Sequence, residues 1–248
     1  YEAAPDIALR KDLFNILYGT APLLWRDEVG YGWNRNRDRF LRTCHDTLPV
    51  HRAVAFSRMT DHVFLTDDKA LQRTRFDSGH TITVNFGEEP VDIDSEALGP
   101  VTLAAHGFLA GGPGLLHARL MENDAPTTRT QVEGFLCVDA PAETVQGPLT
   151  TTGRALAFAA GDERWQLAVH PGASCSLDTG ALPGLGGRDC VVLELDARGR
   201  TRRVLHDALD NGVLTCPPAS SKRFYAIVPR DRAPMLNVYP SDHFVEVE

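Results

Sequence analysis

Asp27 and Glu28 stand side by side behind Trp25 and Arg26, in a stretch that reads as a loop. Two carboxyl groups are what glycosidic-bond cleavage usually requires: one protonates the leaving oxygen, and the other acts as nucleophile or base. Tyr18, Trp25, Tyr31 and Trp33 surround the pair in sequence. Flat aromatic faces suit the C–H faces of sugar rings, and a polar handle helps at a wet site. Asp27 and Glu28 are therefore the candidate catalytic residues, and Tyr18, Trp25, Tyr31 and Trp33 the candidate substrate contacts. The simpler reading of adjacent carboxylates is surface charge.

A second group of reactive side chains follows. His45, Asp46, His51 and His62 fall within a short stretch, beside Cys44. Zinc ligation favours fixed spacings such as H-E-x-x-H, and the chain has none. A Cys44–His45 nucleophile pair fails because neighbours on a helix point about 100° apart. Helix caps and surface positions explain these residues more simply, with an unrelated hydrolase built on the His45–His62 region as a third reading. There is no G-x-S-x-G elbow, phosphate-binding loop or dinucleotide fingerprint. Asp162, Glu163, Asp189, Asp207 and Asp210 could hold calcium in a turn, although no EF-hand pattern supports it. The reading assigns no metal and no cofactor.

The elements that must position these residues change character along the chain. Ile7–Leu17 reads as a helix or a helix-to-strand passage, broken at Tyr18–Pro22. Gly30–Asn34 is a loop, and Asn34 or Asn36 can cap a helix that runs to about Thr47. Phe40, Leu41, Cys44 and Leu48 form its expected apolar stripe, and Pro49 its end. His51–Met59 suggests another short helix. Leu71–Phe76 and Thr81–Phe86 form a hairpin in which Ile82, Val84 and Phe86 alternate with polar residues, and Gly79 can supply a positive φ to its turn. Beyond it lie short strands, at 101–105, 134–138, 155–159, 165–170, 190–195, 202–205, 224–228 and 244–247, separated by turn residues. Gly111-Gly112-Pro113-Gly114 reads as a linker and Leu182–Arg188 as a long loop.

Size and charge narrow the classes. The 248 residues are 43% hydrophobic and 23% charged, enough for one large domain or two ordinary ones. A formal net charge of −8 argues against general affinity for nucleic-acid backbones. Arg35, Arg37, Arg39 and Arg42 read as a solvated helix face. No apolar run approaches the ~20 residues that span a bilayer, and no signal peptide is visible. The chain starts at Tyr1 close to a helical segment, which suggests a piece of a longer polypeptide. Five cysteines lie at 44, 137, 175, 190 and 216, without C-x-x-C spacing. Cys44 and Cys137 read as small buried hydrophobes. Cys175 and Cys190 flank a Gly-rich loop and could pair.

The wording of the first third carries a resemblance. Leu17-Tyr18-Gly19-Thr20-Ala21-Pro22-Leu23, Leu71-Gln72-Arg73-Thr74-Arg75-Phe76 and Val84-Asn85-Phe86-Gly87 resemble the end of large glycoside hydrolases. The group in question is related to endo-α-N-acetylgalactosaminidases and α-N-acetylgalactosaminidases. No comparable match extends past about Ala110. The resemblance implies a mainly β fold with an α-helical N-terminal segment, one or two β-sandwiches following the tail of a (β/α) barrel. Residues 1–62 would be the helical tail of the upstream barrel. Residues 63–110 would start the sandwich, and 115–248 would continue it or form a second. The implied partners are a carbohydrate and the upstream barrel of the same polypeptide, with neither nucleic acid nor membrane. If Leu17–Gly19 ends the last barrel strand, Asp27 and Glu28 lie on the face where barrel active sites form. The family's own carboxylates would belong to earlier strands. The alternative is a non-catalytic carbohydrate-binding or adhesion module, which the strand-rich remainder also fits.

Overall fold

The computed structural model describes residues 5–22 and 33–233. Two helices open it, α1 (Pro5–Tyr18) and α2 (Trp33–Val54). Sixteen strands follow: β1 (Met59–Phe64), β2 (Leu71–Phe76), β3 (Thr81–Asn85), β4 (Val91–Ser95), β5 (Gly99–Gly112), β6 (Leu115–Glu122), β7 (Ala125–Val132), β8 (Phe135–Gln146), β9 (Leu149–Ala159), β10 (Trp165–Val169), β11 (Ser174–Asp178), β12 (Cys190–Leu195), β13 (Thr201–Leu205), β14 (Leu209–Asp210), β15 (Val213–Cys216) and β16 (Arg223–Pro229). The fold is mainly β, as expected.

The strands form one hydrogen-bonded antiparallel sheet in the order β1-β2-β3-β5-β6-β7-β8-β9-β10-β16-β12-β13, with β4 on β5, β11 on β9 and β15, and β14 on β15. Long strands change direction part-way. The β5–β6 register breaks between Leu103 and Phe108, and the β8–β9 register between Ala140 and Thr144. Strand β9 divides at Gly153: Leu149–Thr152 pair with β11, whereas Ala155–Ala159 pair with β10. Gly153 has φ 90°, and a Cβ there would meet that of Ala173 at 2.7 Å. Only glycine fits this corner.

Alternation along these strands produces several cores. Leu13, Ile16 and Leu17 of α1 and Val50 and Val54 of α2 pack with Phe76, Ile82, Val84, Phe108, Ala110 and Leu115. On the far face of these strands, Leu71, Leu103, Leu109, Ala118 and Leu120 pack under Val91 and Ile93 of β4. The largest cluster joins β8–β12 and β16 around Trp165, Leu167, Val192 and Ile227. The Trp165 indole donates to Pro183 O at 3.0 Å and so fixes the 182–188 loop, where Leu182 and Leu185 are buried.

Several local expectations are corrected. Asn34 and Asn36 lie within α2 rather than capping it. Pro49 does not end α2, and there is no separate His51–Met59 helix: α2 runs through to Val54 and β1 begins at Met59. A mid-helix proline costs about 3 kcal/mol, but Val50 and Val54 beyond it are almost fully buried, and each contributes roughly 1.5–3 kcal/mol. The expected stripe of α2 is also turned around. Thr43, Asp46, Thr47, Val50 and Val54 face inward, whereas Leu41 and Leu48 are 48% and 43% exposed. Periodicity finds an apolar arc without telling which arc meets the sheet. Here the inward polar residues each have partners. Gly111–Gly114 is not an open linker: Gly112 pairs with Leu115, and Pro113-Gly114 make the two-residue turn of the β5–β6 hairpin. Cys175 does not face Cys190; its register partner is Cys216. The strand expected at 244–247 lies outside the described residues.

Candidate functional site

The site residue with a described side chain is Tyr18, and its position follows from how α1 ends. Gly19 N–H reaches Ile16 O at 3.1 Å and Thr20 N–H reaches Asn15 O at 2.9 Å. These two bonds around a left-handed glycine (φ 63°) form a Schellman motif. The Thr74 hydroxyl on β2 donates to Leu17 O at 2.7 Å, and His51 Nδ1 donates to Gly19 O at 2.8 Å. The carbonyls of Leu17, in the last turn of α1, and of Gly19, just beyond it, are thus bound by β2 and α2, and Tyr18 is presented at the surface.

Around Tyr18 the fold assembles a row of rings. Phe86 lies 4.6 Å from Phe14, Phe14 lies 6.2 Å from Tyr18, Tyr18 lies 5.6 Å from His62, and His62 lies 5.0 Å from Phe64, centroid to centroid. Lys69 Nζ closes the row 5.3 Å from the Phe64 centroid. His62 and Phe64 share a face of β1 because they are two residues apart. The Gln72 amide donates to Lys69 O, which turns its Oε1 toward His62, so His62 Nε2 carries the hydrogen of their 3.0 Å bond. Phe14, Tyr18 and Phe64 are 44%, 38% and 52% exposed. Aromatic surface in a continuous ridge is an unusual thing to leave in water, and it suits stacking on sugars or other flat apolar faces.

The other sequence candidates fall differently. Trp25, Asp27, Glu28 and Tyr31 lie outside the described residues, and Trp33 is described only as the first backbone position of α2. His45, His51 and His62 are not brought together. His51 binds Gly19 O, His62 stands on β1, and His45 joins a buried network. In that network Arg119 donates to Asp46 Oδ2 at 2.9 Å, and His45 Nδ1 donates to Asp46 Oδ1 at 3.3 Å. His117 Nε2 donates to Asp46 O at 2.9 Å, so its Nδ1 accepts from the Thr130 hydroxyl at 2.9 Å.

The electrostatics follow from burial and partners. Burial pulls the His45 pKa down, but the hydrogen bond to Asp46 and the neighbouring Cys137 outweigh it and leave it at about 9. Burial lowers His117 to about 4 and keeps it neutral. For Asp46, burial is outweighed by His45 and Arg119, and the carboxyl titrates below its ordinary range. Burial pushes Asp12 upward against its hydrogen bond from Thr43. This network is largely shielded from solvent and clamps α2 onto β6 and β7. Sequence reading missed His117 and Arg119 and took Cys137 as a small buried hydrophobe, which it is; all three lie far from His45 along the chain.

Two clefts gather further carboxyl groups. One, of about 430 Å³, is lined by Arg73, Thr81, Thr83, Asp94, Ser95 and Glu96, and Arg75 holds Glu96 at 2.7 Å. The other is bordered by Asp162 and Glu163, and Glu163 is engaged by Arg188 and Arg232. Asp189 is held by Arg230. Among the described residues, no group of three or more His, Cys, Asp or Glu converges as a metal site. No described helix is long and apolar enough to cross a membrane. Compared with known proteins, the chain matches no family model, no curated protein and no solved structure.

Proposed function

We propose that the chain is the C-terminal portion of a glycoside hydrolase acting on α-linked sugars, with β-sandwich domains that complete and support an upstream (β/α) barrel. The observation that carries this reading is the exposed aromatic ridge at Phe14, Tyr18, His62 and Phe64. It provides a stacking surface for sugar rings at the point where the chain enters the segment holding Trp25, Asp27 and Glu28. The resemblance around Leu17–Leu23 names an N-acetylgalactosaminide as the substrate class.

A second feature supports a neighbouring body. Both helices bury one face against the sheet and carry exposed apolar residues elsewhere: Ile7 on α1, Leu41 and Leu48 on α2. Apolar side chains at helical spacing on an outer face are suited to packing against a further domain. In this reading the acid and base come from the barrel, and Tyr18 and Trp25 contribute to the sugar site.

The test is release of p-nitrophenol from aryl α-N-acetylgalactosaminides, measured for the 248-residue chain alone and joined to the polypeptide encoded upstream. Activity in the joined form alone supports the proposal. Activity in the short chain overturns the division of labour and moves catalysis to Asp27 and Glu28. Inactivity of both, with glycan binding retained by the short chain, favours a carbohydrate-binding module, which the same ridge would serve.

A further inference from the structure

Cys175 and Cys216 face each other across the β11–β15 pair, in register with Ser176 opposite Thr215 and Leu177 opposite Leu214. Directly opposed residues in an antiparallel pair have Cα atoms about 4.5–5.5 Å apart, inside the roughly 4.4–6.8 Å that a disulfide bridges. Both are free thiols, only 4% and 2% exposed. A small cleft of about 190 Å³ nevertheless opens beside them, lined by Glu143, Thr151, Ser174 and Pro217 together with the two cysteines. Neither cysteine belongs to the aromatic ridge or to the Asp46 network.

We propose that Cys175 and Cys216 form a peroxide-sensitive dithiol that closes to a cross-strand disulfide. The surroundings differentiate the two sulfurs. The Cys175 thiol, the Tyr225 hydroxyl and the Arg223 guanidinium around it favour the Cys216 thiolate and lower its pKa against the opposing effect of burial. Cys175 is pushed upward by the neighbouring Cys216 and by burial. Arg223 is held in place by bonds to Pro217 O at 2.6 Å and to the Tyr225 hydroxyl oxygen at 3.3 Å. Cys216 is thus the attacking thiolate and Cys175 the resolving thiol.

The reaction balances with hydrogen peroxide as the oxidant. Cys216 sulfur attacks one peroxide oxygen, the O–O bond breaks, and the departing hydroxide takes up a proton to leave as water. The resulting Cys216 sulfenic acid is attacked by Cys175 sulfur. The S–S bond forms, the S–OH bond breaks, and the second water leaves with the Cys175 proton. Two thiols and one peroxide give one disulfide and two waters. The bond ties β15, and β14 paired with it, to the centre of the sheet through β11 and β9.

The test treats the native chain with hydrogen peroxide, then alkylates it in denaturant and maps the peptides. The expected result is a fall from five free thiols to three, a loss of two hydrogens in the intact mass, and a crosslinked peptide pair containing Cys175 and Cys216. Reduction by dithiothreitol should restore all five. Cys175→Ser should leave Cys216 as a sulfenic acid trapped by dimedone, and Cys216→Ser should give neither product at Cys175. The oxidised chain should melt several degrees higher, because the bond restricts the unfolded chain. Retention of five thiols, a Cys175–Cys190 bridge, or oxygen addition confined to Cys44 would overturn the proposal. The wild-type map decides it even if a variant fails to fold.

Discussion

Asp46 and Arg119 are 73 residues apart in sequence and 2.9 Å apart in space. Their side chains are 7% and 19% exposed, so the pair is largely shielded from water. It locks α2 to β6, and His117 on the same strand binds the Asp46 carbonyl. Removing one member of a buried pair leaves the other charged and unpaired, which typically costs 3–5 kcal/mol. Asp46→Ala is expected to lower the unfolding free energy by about 3 kcal/mol in urea titration. Combining it with Arg119→Met should cost less than the sum of the two single changes. Additive costs would show that the two residues do not couple.

The same network sets a pH optimum for stability. His45 is raised from 6.5 to about 9, so the folded chain holds a proton there that the unfolded chain releases. That contribution is complete below about pH 6.5 and is lost as pH rises to about 9. His117 is lowered from 6.5 to about 4, so the unfolded chain binds a proton that the folded chain refuses. That contribution is complete above about pH 6.5 and falls away toward pH 4. Each limb is on the order of 3 kcal/mol. Asp46, titrating below its ordinary value, adds to the loss at the acid end. Denaturant midpoints across pH 4–9 should peak near pH 6–7, and Asp46→Asn should flatten the alkaline limb because His45 loses the carboxylate that keeps it charged. A midpoint that rises from pH 7 to 9 would contradict this arrangement.

The sequence is legible where periodicity and punctuation act locally. The hairpin strand Leu71–Phe76 and the strand Cys190–Leu195 are both found with the limits expected of them. Strands β6 and β7 were not foreseen, because LLHARLME and APTTRTQV bury Thr127, Thr130 and His117 along with their apolar residues. Those polar groups are affordable inside only because partners such as Asp46 and Thr130 itself arrive from elsewhere. The site shows the same division. Tyr18 is recognisable from its type, whereas the ridge depends on β1 bringing His62 and Phe64 against the end of α1. Cys216 as the partner of Cys175 depends on a register that no spacing along the chain encodes.

Gly19 connects the fold to the candidate site. Its φ of 63° lies in the left-handed region, and a Cβ added there would stand 2.1 Å from Val54 Cγ2. Gly19→Ala therefore meets both backbone strain and a clash with a buried side chain of α2. Left-handed strain alone costs about 1 kcal/mol, and overpacking adds a further 1–3 kcal/mol. The variant should lose at least about 2 kcal/mol in chemical denaturation. Val54→Ala in the same background should recover part of the loss by opening space, whereas Val54→Ala alone should destabilise. Failure of the second change to rescue would place the cost in the backbone.

Tyr18 and Phe64 separate a binding role from a structural one because both are substantially exposed. Surface substitutions away from special features usually move stability by less than about 0.5 kcal/mol, so Tyr18→Ala and Phe64→Ala should leave the melting temperature nearly unchanged. If the ridge stacks on sugars, each loss of a ring should remove about 1 kcal/mol of binding, a roughly fivefold weaker affinity for an α-N-acetylgalactosaminide-bearing glycan in calorimetry or a glycan array. Tyr18→Phe should retain most of the binding if stacking dominates and lose it if the hydroxyl does. Leu41→Glu with Leu48→Glu provides the contrast: these side chains lie on the outer face of α2, so the pair should spare glycan binding by the isolated chain and, if a barrel packs on that face as proposed, weaken that association. Equal loss of glycan binding in the leucine variant and the ring variants would sink the assignment of the ridge as the sugar surface.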